Sequence, residues 1–376
     1  MIYLDAAATT LQKPPAVLHA VARAMTDCAN PGRSGHRPAM EAARVVYGCR
    51  EAAARFFGLD DPAKVVFTMN ATHGLNIAVQ SLLRQGGHAV ITGYEHNSVV
   101  RPLEHLVENG VTYTAARWPL FDRKAACVAV AEALRPDTRC VIVNHVSNVF
   151  GSVAPLEEID ALCVQKDIPV IVDASQSAGV LPLDLSRLKA VAFVCMPGHK
   201  SLYGPQGTGI LLCCKEEYLY SLMQGGTGSA SLEKRQPRWL PDALESGTLN
   251  VPGIAGLREG LRFAAAHREE IRGREEALCR RLARQLREVP AVTCWQGSGQ
   301  SGVLSFRIEN ADPETVGSRL SREGICVRCG LHCAPLAHET AGTLPGGTVR
   351  VSFSAFSRPA EADALARAVA KLVKCL

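Results

Sequence analysis

The feature that most constrains this chain is an alternation, between about residues 64 and 214, of short apolar runs with longer stretches of helical spacing. The apolar runs are rich in valine and isoleucine, and such continuous runs predict strands buried on both faces. The strand-like runs are Val65–Thr68, Ala89–Thr92, Cys140–Val143, Val170–Asp173, Val191–Met196 and Gly209–Cys213. The helical stretches between them include Thr72–Leu83, Val99–Glu108 and Leu156–Val164. This order predicts an α/β fold with a mainly parallel sheet between helices.

The pattern changes after about Pro252, where helices and short strands are mixed. The segments are helical Ile254–Ala266 and Glu269–Leu286, strand-like Gly302–Ile308, helical Pro313–Glu323, strand-like Gly324–Arg328, strand-like Thr348–Phe353 and helical Pro359–Val373. We therefore predict a large domain of residues 15–252. Residues 1–14 and 253–376 are expected to form a smaller α+β domain.

Composition narrows the class of protein. The chain has 376 residues, of which 47% are hydrophobic and 20% are charged, which is typical of a globular protein. Its net charge of +5 comes from scattered lysines and arginines, so no nucleic-acid partner is predicted. No signal peptide or membrane span is evident, which predicts a cytoplasmic protein whose fourteen cysteines are mostly free thiols.

Candidate ligand-binding residues follow most of the predicted strands, at the edge where open parallel sheets bind ligands. In chain order they are Ala71 and Thr72 at a helix start, His96, Asn148, the buried strand-end carboxylate Asp173 with Gln176, and His199 with Lys200. Each of them alone also fits an ordinary cap, turn, ion pair or solvated loop. Together they supply an anion site, a ring-stacking group, a carboxylate for a ring nitrogen and a Schiff-base amine, which are the parts that pyridoxal phosphate (PLP) needs.

With these residues in place, the sequence resembles the class V aminotransferase-like family of fold-type I PLP enzymes, and within it the cysteine desulfurases and selenocysteine lyases. The resemblance runs from Tyr3-Leu4-Asp5-Ala6-Ala7-Ala8-Thr9-Thr10 to Arg350-Val351-Ser352-Phe353-Ser354. Its most specific pieces are Gly198-His199-Lys200-Ser201-Leu202-Tyr203-Gly204-Pro205, Glu245-Ser246-Gly247-Thr248-Leu249-Asn250 and Val327-Arg328-Cys329-Gly330-Leu331-His332-Cys333-Ala334-Pro335. The resemblance implies a large domain with a seven-stranded type of sheet and a smaller C-terminal domain.

The resemblance also implies a role for each site residue. Lys200 would hold PLP covalently, Asp173 would pair with its ring nitrogen, His96 would stack on its ring and Gln176 would reach its phenolic oxygen. The phosphate would be bound by Ala71, Thr72 and His199, and by Thr248 of the neighbouring subunit in a homodimer. Asn148 and Arg350 would hold the substrate carboxylate, with Arg328 nearby, because a guanidinium fork matches a carboxylate.

The activity implied is desulfuration of L-cysteine to L-alanine, with the sulfur passing to Cys333 as a persulfide and then to an acceptor, either a dedicated protein or a reductant. Selenocysteine lyase activity and PLP-dependent C–S β-lyase activity stay open as alternatives. Pro197, Asn97 and Leu331 depart from the residues usual in the related subgroup, as does the stretch Gly225–Ser229, and they indicate a divergent branch.

Readings outside this activity are weaker. Cys326, Cys329 and Cys333 have a spacing that can bind zinc or an iron–sulfur cluster, but no fourth ligand is evident, so no metal is predicted. A disulfide between Cys329 and Cys333 stays open. A transaminase has no need of a thiol at Cys333, a non-catalytic scaffold has no need of Lys200, and the glycine spacing does not match a nicotinamide site.

Overall fold

A computed structural model describes residues 1–32 and 34–375 of the chain. The strands are β1 (Ile2–Tyr3), β2 (Val65–Thr68), β3 (Gly87–Thr92), β4 (Val111–Ala116), β5 (Thr138–Asn144), β6 (Val170–Asp173), β7 (Val191–Pro197), β8 (Gly209–Cys213), β9 (Val292–Trp295), β10 (Val303–Ile308), β11 (Ile325–Cys326), β12 (Arg328–Gly330) and β13 (Thr348–Ser352). The helices are α1 (Pro15–Asp27), α2 (Arg37–Phe57), α3 (Ala71–Leu83), α4 (Asn97–Leu106), α5 (Arg123–Ala133), α6 (Leu156–Lys166), α7 (Val251–Arg287), α8 (Pro313–Arg322), α9 (Pro335–Thr340) and α10 (Pro359–Val373).

Seven strands form the central sheet, in the order β2-β8-β7-β6-β5-β3-β4. The pairs among β7, β6, β5, β3 and β4 are parallel, whereas β8 is antiparallel to both of its neighbours. The predicted α/β fold with a mainly parallel seven-stranded sheet is therefore confirmed. Because β2 and β7 both oppose β8, the carboxyl ends of β2, β3, β5, β6 and β7 lie along one edge.

One strand of this sheet, β4, was not predicted from the sequence. The edge strand β4 has the sequence Val-Thr-Tyr-Thr-Ala-Ala, and only its two end residues are buried. Edge strands are covered on fewer sides than central ones, so this segment lacks the continuous apolar run that marked the others.

The C-terminal part has a four-stranded antiparallel sheet in the order β12-β13-β10-β9, and β1 pairs in parallel with β11. The predicted strand Gly324–Arg328 is in fact divided between β11 and β12, which belong to different sheets. The two helices predicted between residues 254 and 286 are one continuous helix, α7, because no proline or glycine separates them at Ala266–Arg268. Since α7 begins at Val251, the predicted domain boundary near residue 252 falls inside its first turn.

The core lies on both faces of the seven-stranded sheet, and a further apolar cluster lies between the C-terminal sheet, α7 and α10. Helix α7 packs against α1 and α2 on one side and α10 on the other, and so joins the two parts of the chain. Among the described residues, no helix combines the length and apolar character needed to cross a membrane.

Candidate active site

A cavity lies at the carboxyl edge of the sheet, between the loops that follow the strands. Its lining consists of Asn70, Ala71, Thr72, His96, Ser98, Asn144, Asn148, Asp173, Ser175, Gln176, Pro197, His199 and Lys200. Eight of the twelve site residues expected from the sequence are in this set. The other four are Thr248, Arg328, Cys333 and Arg350, and they lie outside the lining.

One end of the cavity is the N-terminus of α3. Asn70 caps this helix, since its Oδ1 accepts the His73 N–H at 2.9 Å. Thr72 Oγ1 lies 2.8 Å from Ser98 Oγ, so two hydroxyl groups stand beside the helix end. The first N–H groups of a helix have no partner inside it and carry the positive end of the helix dipole, so this end of the cavity suits an anion.

His96 is held in one orientation at the start of α4. Its Nδ1 accepts the Ser98 N–H at 3.0 Å and lies 2.9 Å from Ser98 Oγ, so the ring caps the helix. Burial lowers the pKa of His96 well below its usual value, an effect only partly opposed by the charge of Asp173. The imidazole is therefore neutral near pH 7, as is suitable for a ring that stacks on another aromatic ring.

Asp173 ends the buried strand β6 and is only 4% exposed. Its Oδ1 accepts the Ser175 N–H at 2.9 Å, and it forms no ion pair within the described part of the chain. A buried carboxylate without a cation is costly, so this position favours a ligand that brings a positive charge.

Lys200 follows β7, the strand that pairs with β6, and Asp173 lies at the end of β6. Burial lowers the pKa of the Lys200 amine to about 8, and Arg350 and Arg328 act in the same direction, whereas Asp173 opposes them. A lysine with this pKa has a substantial neutral fraction near pH 7 to 8, and the neutral amine is the nucleophile that forms a Schiff base.

The residues beside Lys200 are anchored to the N-terminal segment. The His199 carbonyl accepts the Thr10 N–H at 3.1 Å, the Thr10 hydroxyl at 3.0 Å and the Lys13 amine at 3.0 Å. Burial lowers the pKa of His199 to about 4, and its buried Nδ1 has no hydrogen-bond partner within the described residues. Gln176 is attached to the same segment, because its Nε2 donates to the Ala7 carbonyl at 3.0 Å.

Cys333 lies in a loop just outside the cavity, and its side chain is exposed. Gly330, His332 and Cys333 all have positive φ, a region that non-glycine residues rarely adopt. Two contacts attach this loop to the cavity wall: Asn148 Nδ2 donates to the His332 carbonyl at 2.9 Å, and the Asn97 N–H donates to the Cys333 carbonyl at 2.8 Å. Asn97, which departs from the residue usual in the related subgroup, thus helps to hold the loop through its backbone N–H.

The charge beside Cys333 comes from an arginine and not from the adjacent histidine. Arg328 Nη2 lies 3.6 Å from Cys333 Sγ. His332 is buried, its Nε2 lies 3.1 Å from the Thr348 carbonyl, and burial lowers its pKa to about 2. His332 is therefore neutral near pH 7 and brings no positive charge to Cys333.

Arg350 is 1% exposed and already has acceptors for both terminal nitrogens. Nη2 lies 2.6 Å from Asp5 Oδ1, and Nη1 donates to the Asn148 carbonyl at 3.0 Å, while Nε has no described partner. Arg350 and Arg328 are directly paired across β12 and β13. The sequence analysis did not foresee that Asp5 would be the counter-ion, although it stands in a motif that we had singled out.

Thr248 is separated from Lys200 within one chain. It is exposed and lines a different cavity, with Thr68, Met69, Gly247 and Asn250 among its neighbours. A role at the Lys200 cavity therefore requires a second copy of the chain.

The cavity fits PLP in three independent respects. A helix N-terminus with two hydroxyl groups suits the phosphate, the unpaired Asp173 suits a protonated ring nitrogen, and the amine of Lys200 suits the aldehyde. The buried Oδ1 of Asn148 and Nδ1 of His199 lack partners within the described residues, as expected of groups that face a polar ligand.

Four polar lining residues were missed as site residues: Asn70, Ser98, Asn144 and Ser175; a fifth lining residue, Pro197, had been named only as a departure from the related subgroup. Asn70, Ser98 and Ser175 adjoin or nearly adjoin predicted residues, and only the turn geometry shows that their polar atoms face the same space. Asn144 lies in β5 beside Asp173, a pairing that depends on strand register.

Comparison with known proteins agrees with this geometry. The family model for class V aminotransferases matches residues 2–365. A probable cysteine desulfurase of Methanothermobacter thermautotrophicus is 32% identical, over 97% of this chain and 92% of its own length, and one of Aeropyrum pernix is 30% identical, over 99% and 94%.

Solved structures agree as well. The apo cysteine desulfurase of Thermococcus onnurineus NA1 superposes with a TM-score of 0.91 and 28% identity, covering all of this chain and 95% of the other. The cysteine desulfurase CsdA of Escherichia coli gives a TM-score of 0.88 and 26% identity with the same coverage. With its parallel sheet and its lysine, aspartate and helix end around one cavity, this chain belongs to the class V aminotransferase family of PLP-dependent enzymes.

Proposed function

We propose that this protein is a PLP-dependent cysteine desulfurase that converts L-cysteine to L-alanine and transfers the sulfur to its own Cys333. The observation that carries the proposal is the position of an exposed cysteine, with an arginine nitrogen 3.6 Å from its sulfur, in a loop bonded to the wall of the lysine-containing cavity. The names of the relatives and of the structural neighbours support the same reaction.

The cavity residues would hold PLP at three points. Ala71, Thr72 and His199 would bind the phosphate, Asp173 would pair with the ring nitrogen and Lys200 would bind the aldehyde, while His96 covers the ring. When bound, PLP supplies an electron sink that stabilises negative charge at the substrate's Cα.

Lys200 is the base of the reaction in this proposal. Burial lowers the pKa of its amine to about 8, so the amine accepts a proton from Cα more readily near neutral pH than an exposed lysine does. Asp173 would lie beside the ring nitrogen, and the neutral His96 cannot repel a positive charge there.

Sulfur transfer then involves two bonds. The Cys333 thiolate attacks the substrate's sulfur, so a new S–S bond forms while the substrate's Cβ–S bond breaks. The carbon skeleton keeps the electron pair of the broken bond and takes up at Cβ a proton equivalent to the one that Cys333 lost on becoming a thiolate. It regains at Cα the proton that Lys200 removed and leaves as alanine, while Cys333 carries the persulfide. No external oxidant is needed, because the transferred sulfur is oxidised to the persulfide level while the substrate's Cβ is reduced to a methyl group.

Counting alanine tests this proposal. Wild type and Cys333→Ala are incubated with PLP, a reductant, and either L-cysteine or L-selenocysteine. We expect alanine from cysteine with wild type and a loss of at least about a hundredfold in the variant, because a nucleophile has been removed. The matched control is Cys329→Ala in the adjacent strand β12, which should keep its activity because burial raises the pKa of that thiol to about 11.

Other outcomes identify other reactions. Alanine from selenocysteine in both proteins, with no use of cysteine, would make the enzyme a selenocysteine lyase. Pyruvate and ammonia in place of alanine would indicate β-elimination. Absence of all these products would contradict the desulfurase proposal while leaving the family assignment intact.

We further propose that the enzyme works as a homodimer in which Thr248 completes the phosphate site of the neighbouring subunit. The exposure of Thr248, and its position in a cavity separate from that of Lys200, support this role. Sedimentation measures whether the protein is a dimer in solution. Thr248→Ala should bind PLP about tenfold more weakly, since a hydrogen bond to a charged group is worth about 1.5 kcal/mol or more.

Two further proposals follow from the reaction itself. A persulfide on an exposed Cys333 is accessible to an acceptor protein, and transfer of radiolabelled sulfur to candidate proteins would identify that acceptor.

We also propose a cytoplasmic location, which cell fractionation tests.

A further inference from the structure

A buried ion pair outside the cavity has no role in the chemistry described so far. Arg50 of α2 and Glu245 are 6% and 9% exposed, and they are 195 residues apart in the chain. Arg50 Nη1 lies 2.9 Å from Glu245 Oε1, and Nη2 lies 2.5 Å from Oε2, so the pair is bidentate. Such geometry gives directional as well as electrostatic attachment.

The pair also covers the outer edge of β2, the first strand of the sheet. Arg50 donates to the Val65 carbonyl, and Glu245 Oε1 accepts the Phe67 N–H at 2.6 Å. The Val65 carbonyl and the Phe67 N–H point away from β8. On that outer side of β2 no further strand of the described residues is present to form hydrogen bonds with them, and the ion pair does so instead. The Arg50 guanidinium lies 4.7 Å from the centre of the Phe67 ring, which adds a second contact to the same strand.

Glu245 is the first residue of the segment that carries Thr248. At its other end Asn250 caps α7, with Oδ1 accepting the Gly253 N–H at 3.0 Å. Between these anchors the Gly247 N–H donates to the Gly226 carbonyl at 2.8 Å, with a φ of +88° at Gly247. Thr248 itself makes no hydrogen bond to another described residue and is exposed.

The arrangement therefore fixes both ends of a short loop, while the Thr248 hydroxyl between them has no partner among the described residues. We propose that Arg50 and Glu245 are positioning residues that hold Thr248 for the phosphate bound in the second copy of the chain. This inference rests on the proposed function, specifically on the shared phosphate site of the dimer.

The test uses a variant in which both charges are removed together. Arg50→Met alone would leave a buried carboxylate without its partner, and the chain would be strongly destabilised. The double variant Arg50→Met/Glu245→Gln keeps an amide oxygen for the Phe67 N–H and leaves no uncompensated charge. We expect a folded dimer that binds PLP about tenfold more weakly, close to the effect of Thr248→Ala.

Mixed dimers then show in which subunit the pair acts. Absorbance of the Lys200-bound cofactor is measured during equilibrium dialysis, and Lys200→Ala in one chain makes the other chain's site the only one observed. In the first dimer, the chain with Lys200→Ala also carries the double variant, and its partner is wild type. In the second dimer, the chain with Lys200→Ala is otherwise intact, and its partner carries the double variant.

We expect weakened PLP binding in the first dimer and normal binding in the second, because the observed site receives Thr248 from the other chain. The reverse pattern would show that the pair acts through β2 on its own cavity and would overturn the inference. Normal binding in both dimers would overturn it as well.

Other measurements test the shared phosphate site itself, independently of Arg50 and Glu245. If Thr248→Ala homodimers bind PLP normally, or if the wild-type protein sediments as a monomer, the shared phosphate site is wrong and the inference falls with it. If Thr248→Ala weakens binding while the double variant does not, the shared site stands and only the role of Arg50 and Glu245 is rejected.

Discussion

At the scale of single residues, the site depends on how burial changes the pKa of Lys200. Lys200 and Asp173 lie beside each other, yet burial dominates the pKa of the lysine and lowers it to about 8 despite the attraction of the carboxylate. Arg350 and Arg328 add to the lowering because like charges disfavour the ammonium form. The amine is thus prepared to react before any cofactor arrives.

We predict that the rate of covalent PLP attachment to the apoenzyme rises with pH through an inflection near 8. The neutral amine reacts, and its fraction increases as pH passes the lowered pKa. Arg328→Gln removes a repelling charge and should move the inflection to higher pH, whereas Asp173→Asn should move it lower. Stopped-flow absorbance between pH 6 and 10 measures this, and an inflection near 10.5 in wild type would contradict it.

A second prediction concerns two neighbouring thiols, Cys329 in β12 and Cys333 in the loop that follows this strand. Cys333 is exposed, while burial raises the pKa of Cys329 to about 11, so few Cys329 thiolates exist at pH 8. Iodoacetamide should therefore modify Cys333 faster than Cys329 by roughly a hundredfold, since the thiolate is the reactive form. Mass spectrometry of timed samples measures both rates, and the exposed Cys375 serves as an internal reference. Comparable rates at 329 and 333 would count against this explanation.

At the scale of an element, the first turn of α3 has to serve both folding and binding. Asn70 accepts the His73 N–H as the helix cap, and the neighbouring residues Ala71 and Thr72 line the cavity. The same dipole that a cap stabilises also attracts a phosphate.

Substitutions at Asn70 should separate these two effects. Asn70→Ala should lower the free energy of unfolding by about 1 kcal/mol, while Asn70→Ser should restore most of it. Asn70→Asp should keep the cap and the stability but bind PLP more weakly, because it adds a negative charge beside the phosphate position. Urea titration and equilibrium dialysis measure the two quantities, and equal PLP affinity in the serine and aspartate variants would refute the proposed anion site.

At the scale of the whole molecule, α7 connects the large sheet to the C-terminal sheet, and it contains a carboxyl group without a counter-ion. Glu275 is 5% exposed and forms no ion pair with a described residue, and burial raises its pKa to about 8. Gly302 lies directly against it, where a Cβ atom would come within 2.6 Å of the Glu275 Cβ. The glycine allows the helix and the strand segment to approach closely.

This carboxyl group should make stability depend on pH. Its pKa is higher in the folded state than the ordinary 4.5, so its contribution is complete below about pH 4.5 and is lost as pH rises through 8. Glu275→Gln should therefore stabilise the protein at pH 9 by on the order of 2 kcal/mol and have little effect at pH 5. Urea titrations at the two pH values measure this, and an equal effect at both would show that ionisation is not the cause.

The sequence by itself determined the type of sheet and most of the cavity lining. Continuous apolar runs such as those ending at Thr68 and Asp173 mark strands covered on both faces, and the residues that follow parallel strands must meet at one edge. Lys200, Asp173, His96 and Thr72 were therefore predictable together, since each follows its strand directly along the chain.

Only the tertiary structure decided the contacts that join distant segments. Strand register places Asn144 beside Asp173 and Arg328 beside Arg350, and packing gives Arg350 its partner Asp5 and Arg50 its partner Glu245. The edge strand β4 and the division between β11 and β12 depend on which neighbours cover each face. Local sequence cannot specify these pairings, because they arise when segments separated along the chain are buried against each other.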